Sequence, residues 1–330
     1  LASRPGFDPN LFASGIKKKD WQAIALDKLH PLQNRAIQGA YPPGSTFKIL
    51  LALKALDLGI INEHTTFHCG GGFAYGNRVF KCWKKGGHGT VSVHRAIVES
   101  CDVFFYNVGL KLGVDRIHEI GDILGMGRLT GIDLPGEQKG LIPSTEWKRR
   151  RYNQPWYEGE TVSVAIGQGA VWLTPIHLVM LSSFVANDGK NFKPQVVNRI
   201  VSTEGKVIKT FEPIVNADLK LKPGVLKLVK DGMRGVVNEP GGTAGASKVQ
   251  NVLMSGKTGT AQAGSQSVGL ADHAWFIAYA PSEDASVAMS ILVEHGLHGS
   301  SAAAPIAKGI TETLFKVKPD IKEAKVNENR

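Results

Sequence analysis

A serine hydroxyl is a poor nucleophile until a base takes its proton, and Ser45-Thr46-Phe47-Lys48 offers an amine three residues away. On a helix, residues three apart share a face, so the Lys48 amine falls within hydrogen-bond reach of the Ser45 hydroxyl. A lysine desolvated inside a buried helix can serve as that base. The free N–H groups of the first helical turn would point at any anion forming beside Ser45. About one Ser-x-x-Lys is expected by chance in a chain of this size. Ser14-Gly15-Ile16-Lys17, in a polar stretch with no apolar helix after it, reads as that chance match.

Two further groups could complete such a centre. Ser100-Cys101-Asp102 sits at a break between two helical patterns, where its hydroxyl and carboxyl can orient Lys48 and pass a proton to a leaving amine. Taken alone it reads equally well as a helix N-cap. Ser282-Glu283-Asp284 has the same form but follows Ala280-Pro281 and reads as a turn. Lys257-Thr258-Gly259-Thr260 lies in a strand pattern, where alternation puts Thr258 and Thr260 on one face and Gly259 admits a substrate backbone. A cation beside a hydroxyl at a strand edge suits a substrate carboxylate; the plain alternative is an exposed lysine and a bulge.

The three cysteines fall within one histidine-containing stretch, too few for a disulfide scaffold. Cys69, Cys82, His88 and Cys101 supply three thiolates and an imidazole, a closed set of the kind structural zinc takes. Their spacing is not that of a zinc finger or ribbon, and one disulfide with an odd thiol, or three free thiols, remain alternatives. Because Cys101 is the middle residue of Ser100-Cys101-Asp102, a metal there would brace that motif from behind.

These groups need elements to hold them. Residues 1–44, interrupted by Pro5, Pro9, Pro31, Pro42 and Pro43, read as an irregular entry. Ser45 to Asp57 is strongly helix-forming and apolar almost all round, which marks a central buried helix stopped at Gly59. Residues 62–90 are glycine-rich and read as a loop held by something other than a core. Helical patterns follow at Val93–Glu99, Val103–Leu112, Val114–Leu124 and Thr174–Asn187, so about 62–190 is expected to be a mostly helical subdomain. The texture then turns to strand: a hairpin of Gln195–Val201 and Lys206–Phe211, a helix Val225–Val237, and strands at Val252–Gln262, His273–Ala280 and Ala285–Glu294. A last helix, Ala302–Phe315, precedes a polar tail, 316–330, expected to fray. Successive short strands with helices argue for an antiparallel sheet covered by helices, an α/β chain of α+β type.

With 330 residues, 42% hydrophobic and 21% charged, the chain can bury a sizeable core, which excludes disordered and low-complexity classes. No apolar run reaches the roughly 18–20 residues needed to span a bilayer, and no export signal is evident; the stretch is expected to be soluble as it stands. The net charge of +10 is clustered in lysine and arginine runs without interleaved aromatics, so nucleic acid is not an expected partner.

Together the three motifs resemble the set carried by penicillin-binding proteins and serine β-lactamases. The likeness extends to Ser3-Arg-Pro-Gly-Phe-Asp-Pro-Asn10, Tyr41-Pro-Pro-Gly-Ser-Thr-Phe-Lys48, Ala165-Ile-Gly-Gln-Gly169, Gly256-Lys-Thr-Gly-Thr-Ala-Gln262 and Asp272-His-Ala-Trp-Phe-Ile-Ala-Tyr-Ala-Pro281. These are similar to class B penicillin-binding proteins across essentially the whole chain, and in particular to the cell-elongation branch, penicillin-binding protein 2, where Asp is familiar at the position of Asp102. The broad family usually has Asn there, and Asp102 reads either as an ionised acceptor for Lys48 or as a protonated donor.

The resemblance implies one transpeptidase domain over 1–330, with a five-stranded antiparallel sheet between helices. It implies a D,D-transpeptidase that cross-links peptidoglycan stem peptides in cell elongation and shape maintenance and is acylated by β-lactam antibiotics. Ser45 would be the nucleophile, Lys48 the base and Ser100 the proton relay, with Lys257 and Thr258 on the terminal carboxylate. The N–H groups of Ser45 and Thr260 would form the oxyanion hole, and Gln168, otherwise a tight-turn residue, would line the cleft. Some members of the branch resemble this chain in carrying zinc beside the site. The implied setting is the periplasmic face of the inner membrane, with an N-terminal anchor and pedestal expected outside this stretch and a glycan polymerase and elongation scaffold proteins as partners of the full-length protein. A D,D-carboxypeptidase or a β-lactam-sensing receptor is the alternative; a β-lactamase is disfavoured because no Glu-x-x-Leu-Asn occurs.

Overall fold

The structure, a computed structural model, describes residues 1–263 and 270–317. The entry segment is less irregular than its prolines suggest: it carries a 3-10 turn at Pro9–Phe12 and helices α1 (Lys18–Ala25) and α2 (Arg35–Gln38). A 3-10 turn over Gly44–Phe47 runs directly into α3 (Lys48–Asp57), so Ser45 sits on the tighter turn and Lys48 opens the α-helix. Every residue from Lys48 to Leu56 is buried. The reason is composition: Ile-Leu-Leu-Ala-Leu has no polar face, and α3 accordingly packs on several sides, against α5, α6 and α10 defined below.

The glycine-rich stretch expected to be a loop holds four short strands, β1 (Thr66–Cys69), β2 (Gly72–Tyr75), β3 (Arg78–Lys81) and β4 (Gly89–Ser92). They pair antiparallel as β1 with β4 and β2 with β3. Four residues per strand, half of them exposed, leave too short an alternation to read from sequence. The helical middle follows with α4 (Val93–Val98), α5 (Asp102–Leu112), α6 (Val114–Ile123), α7 (Thr145–Tyr152), α8 (Glu158–Val164) and α9 (Pro175–Ala186). The sequence reading missed α7 and α8. Helix α7 contains the Lys148–Arg151 charge run and has almost no apolar stripe; it is started instead by the Ser144 hydroxyl, which accepts from the Trp147 N–H at 3.0 Å.

Beyond α9 come β5 (Lys190–Phe192), β6 (Arg199–Val201), β7 (Val207–Thr210) and β8 (Val215–Asp218), with β6–β7 the expected hairpin and β5–β8 a second pair. Then follow α10 (Val225–Asn238), β9 (Ser255–Ala261), β10 (His273–Ala280), β11 (Val287–Val293), a π-helical turn Gly299–Ala303 and α11 (Ala304–Leu314). Among the described residues the main sheet has three antiparallel strands in the order β11-β10-β9, not five. Its centre, β10, is buried at all eight positions, whereas β11 is mostly half-buried and its outer side meets no described strand. Helices α9, α10 and α11 pack on this sheet, as the alternation of strand and helix patterns requires. Most of the expected frayed tail, from residue 318 onward, lies outside the described residues.

Candidate active site

The three motifs converge on one cleft of about 660 Å³ between the start of α3, the α4–α5 junction and strand β9. Ser45, Ser100, Asp102, Thr258, Gly259, Thr260 and Gln168 all line it. Lys48 is fully buried, and its amine donates to Asp102 Oδ1 at 2.7 Å, to the Ser100 carbonyl at 2.9 Å and to Ser100 Oγ at 3.3 Å. None of its hydrogen bonds goes to Ser45 Oγ; the base is held by the second motif rather than by the nucleophile. The other Asp102 oxygen accepts the Trp83 N–H at 2.9 Å. Both carboxyl oxygens thus accept a hydrogen bond, one from Lys48 and one from Trp83.

Ser100 does not cap a helix. Its φ of +56° is a left-handed conformation that residues with a β-carbon seldom adopt, and it turns the hydroxyl into the cleft as α4 ends. There Ser100 Oγ also accepts from Lys257 Nζ at 2.7 Å. Lys257, on β9, is fully buried and donates as well to the Thr258 carbonyl at 3.0 Å. Burial pushes its amine well below the usual lysine range, repulsion from Lys48 adds to this, and Asp102 opposes it. The Thr258 hydroxyl lies 2.7 Å from that of Thr243, a cleft residue the sequence reading did not single out.

Backbone contact fixes the nucleophile against β9. A β-carbon on Gly44, whose φ is +55°, would stand 2.4 Å from the Thr260 carbonyl oxygen, so only glycine lets the two chains touch immediately before Ser45. Gly259 serves a related purpose. Its open side is filled not by a place for substrate but by Thr46, Trp275 and the Pro43 carbonyl, all within 3.0 Å of where a β-carbon would be. Gln168 sits on the turn flanked by Gly167 and Gly169 and reaches the Thr260 carbonyl at 3.5 Å, so it both turns the chain and edges the cleft.

Behind the second motif, Cys69, Cys82, His88 and Cys101 come together with their ligand atoms within 4.8 Å of one another. His88 Nδ1 stands 3.5 Å from both Cys69 Sγ and Cys82 Sγ. A hydrogen bond from Cys101 holds the Cys82 thiol below the usual cysteine range. His88 Nε2 is buried without a hydrogen bond, 3.9 Å from Glu99. Cys101 is fully buried and is not among the residues that line the cleft, as Ser100 and Asp102 are, and Cys82 precedes the Trp83 N–H that holds Asp102.

A serine, two buried lysines and a shared second serine on a helix-covered antiparallel sheet define a serine acyl-transfer centre. The penicillin binding protein transpeptidase domain matches residues 1–312, and the chain belongs to that family. It is 37% identical over 328 residues to the peptidoglycan D,D-transpeptidase MrdA of Haemophilus influenzae, covering 94% of this chain and 50% of that protein. To MrdA of Escherichia coli K12 it is 38% identical over 312 residues, covering 90% and 49%. The chain thus spans about half the length of the curated relatives it matches. Among solved structures, the penicillin-binding protein 2 of Pseudomonas aeruginosa in complex with WCK 5153 superposes with a TM-score of 0.86 at 35% identity, over 98% of this chain and 70% of that one. Penicillin-binding protein 2 of Helicobacter pylori in complex with MreC gives 0.85 at 33%, over 96% and 57%.

Proposed function

We infer that the chain is the transpeptidase domain of a peptidoglycan D,D-transpeptidase of the penicillin-binding protein 2 type, working through an acyl-enzyme on Ser45. The observation that carries this is the Ser100 hydroxyl held between Lys48 and Lys257 in the cleft that Ser45 lines. Ser45 Oγ attacks the carbonyl between the two terminal D-alanines of a stem peptide, and Lys48 takes the hydroxyl proton; contacts of this kind are often long before substrate binds. The N–H groups of Ser45 and Thr260 receive the oxyanion. When the C–N bond breaks, the proton returns through Ser100 to the leaving D-alanine amine. Lys257 and Thr258 hold the terminal carboxylate until then. An amine of a neighbouring stem next attacks the Ser45 ester, which restores the serine and leaves a cross-link. A β-lactam presents a similar carbonyl and carboxylate and would stay on Ser45.

The chemistry of the donor set, three sulfurs facing one imidazole nitrogen, fits zinc. Cys69, Cys82, His88 and Cys101 would hold it, and Glu99 is placed to take the outer His88 N–H. Bound there, zinc would supply structure alone, fixing the strand ends that carry Cys82 and the Trp83 N–H on Asp102. The native setting that fits the substrate is the periplasmic face of the inner membrane, where a glycan polymerase and scaffold proteins would be partners of the longer protein.

Intact-mass measurement before and after benzylpenicillin, with peptide mapping, tests the centre: one adduct per chain on Ser45 is expected, and none on the folded protein would overturn the reading. Incubation with a stem pentapeptide then separates acceptors, because a cross-linked dimer marks a transpeptidase and release of D-alanine alone a carboxypeptidase.

A further inference from the structure

The segment Tyr41–Gly44 carries Ser45 to the cleft and is gripped from two sides. On the helical side, Tyr41 exchanges backbone hydrogen bonds with Leu173 at 2.9 and 2.8 Å, and the Gly44 N–H donates to the Gly167 carbonyl at 3.0 Å. On the sheet side the grip is made by side chains. The Trp275 indole N–H donates to the Pro42 carbonyl at 3.0 Å, and the Tyr41 hydroxyl donates to Glu294 Oε1 at 2.6 Å. The second Glu294 oxygen accepts from Arg35 Nε at 2.7 Å, while the rest of that guanidinium takes the carbonyls of Leu29 at 2.6 Å and His30 at 3.3 Å. Tyr41 also packs edge-on against Trp275, which lies opposite Gly259 in the β9–β10 register. Although burial alone would raise the Glu294 carboxyl, the hydrogen bonds from Tyr41 and Arg35 bring it below the usual glutamate value.

The two grips have different consequences. Bonds to Gly167 and Leu173 position the segment relative to the helices. The sheet-side bonds position it relative to β9, and so set the separation of the Ser45 N–H from the Thr260 N–H. Glu294 directly follows β11 and is not among the described residues that line the cleft; its hydrogen-bonded link to the segment before Ser45 runs through Tyr41.

We propose that Glu294, held by Arg35 and acting through Tyr41, is a positioning residue that sets the width of the oxyanion hole between Ser45 and Thr260. The inference rests on the acyl-transfer reading above. Removing the carboxylate frees the Tyr41 hydroxyl and the Arg35 fork, and the start of the 3-10 turn can then drift from β9 while the helical-side bonds persist. Misplacement of an oxyanion donor by a fraction of an ångström slows acylation by about tenfold.

The test compares wild type, Glu294→Ala, Glu294→Gln and Tyr41→Phe by two readouts: the acylation rate constant with benzylpenicillin and the infrared carbonyl frequency of the resulting ester. Acylation should slow about tenfold in Glu294→Ala and Tyr41→Phe, with the carbonyl band moving to higher frequency as its hydrogen bonds lengthen. Glu294→Gln, which keeps an acceptor for Tyr41, should recover part of both. A purely structural role would lower melting temperature without moving the carbonyl band of the protein that stays folded. Folded variants with wild-type rate and band overturn the proposal; if Glu294→Ala does not fold, Tyr41→Phe decides by the same two readouts. A wild-type chain that takes no penicillin at all would remove the functional reading and this inference with it.

Discussion

Replacing Lys257 by Met should abolish function and stabilise the fold. The amine is fully buried and sits beside Lys48, and both conditions disfavour its charged form. A buried lysine whose amine titrates below its unfolded value forfeits about 1.4 kcal/mol for each pH unit between the two values. Methionine, similar in length and apolar, avoids that cost. What it loses is the donor to Ser100 Oγ, which keeps Lys48 at 3.3 Å, and the donor to the Thr258 carbonyl. Two such bonds are worth about 2 kcal/mol, and the variant is the more stable because the cost of burying the amine exceeds that. With an unfolding entropy of about 0.7 kcal/mol/K for 330 residues, melting temperature rises by about 1.4 °C for each net kcal/mol. The pH dependence carries the sign. Because the folded amine titrates below the unfolded one, wild-type stability rises with pH up to about 10.4 and is lost as pH falls through the folded value; Lys257→Met should flatten that rise. Penicillin acylation, followed by adduct mass, should fall by about a hundredfold or more. A variant that melts several degrees lower, with the alkaline rise intact, would refute the reasoning by showing a charged Lys257 that supports the fold.

Cys82→Ser should lower zinc content, measured by elemental analysis, and slow acylation about tenfold through the Trp83 N–H on Asp102; unchanged acylation in a metal-free variant would remove the bracing role. Gly44→Ala places a β-carbon 2.4 Å from the Thr260 carbonyl at a φ of +55°, so it should cost about 1–3 kcal/mol in urea unfolding and slow acylation at least tenfold. Burial holds His177 below the ordinary histidine value, and its Nδ1 accepts the Thr174 N–H while Nε2 donates to the Arg128 carbonyl. Its contribution to stability is therefore full above about pH 6.5 and lost as pH falls through the folded value, by up to about 1.4 kcal/mol per pH unit. Urea titrations between pH 5 and 8 should show a shallower slope for His177→Gln.

The catalytic residues were legible because each motif is contiguous: a serine and lysine on one turn, a serine and aspartate around a cysteine, a lysine and threonine on a strand. Their side-chain types imply acyl transfer before any fold is known. What was not legible is how they meet. No local pattern announces that Ser100 is left-handed, that none of the Lys48 hydrogen bonds goes to Ser45, or that Thr243 pairs with Thr258. The Tyr41–Glu294 bond joins residues far apart in sequence, and neither looks functional alone. Among elements, the buried helix and the three sheet strands have periodicities long enough to read, and their boundaries fall within a few residues of expectation. The ribbons β1–β4 and the charged helix α7 do not, since they depend on pairing and capping rather than on an apolar face.

The arrangement at Ser100 has a consequence for the direction of proton flow. A serine oxygen has two lone pairs and one hydrogen. Lys257 donates to Ser100 Oγ at 2.7 Å and Lys48 at 3.3 Å, so when both amines donate, both lone pairs are taken. The hydroxyl hydrogen must then point elsewhere, and Ser100 lines the cleft, the side from which substrate nitrogen would approach. Two buried amines donating to one hydroxyl thus orient it as a donor toward the leaving amine, and each proton given away is replaced by one from Lys48. Asp102 holds Lys48 in line for that transfer. It follows that Ser100→Ala should spare substrate binding by Lys257 and Thr258 yet slow expulsion of the amine, a loss in acylation rate rather than in affinity; a variant that weakened affinity alone would show that the hydroxyl binds rather than relays.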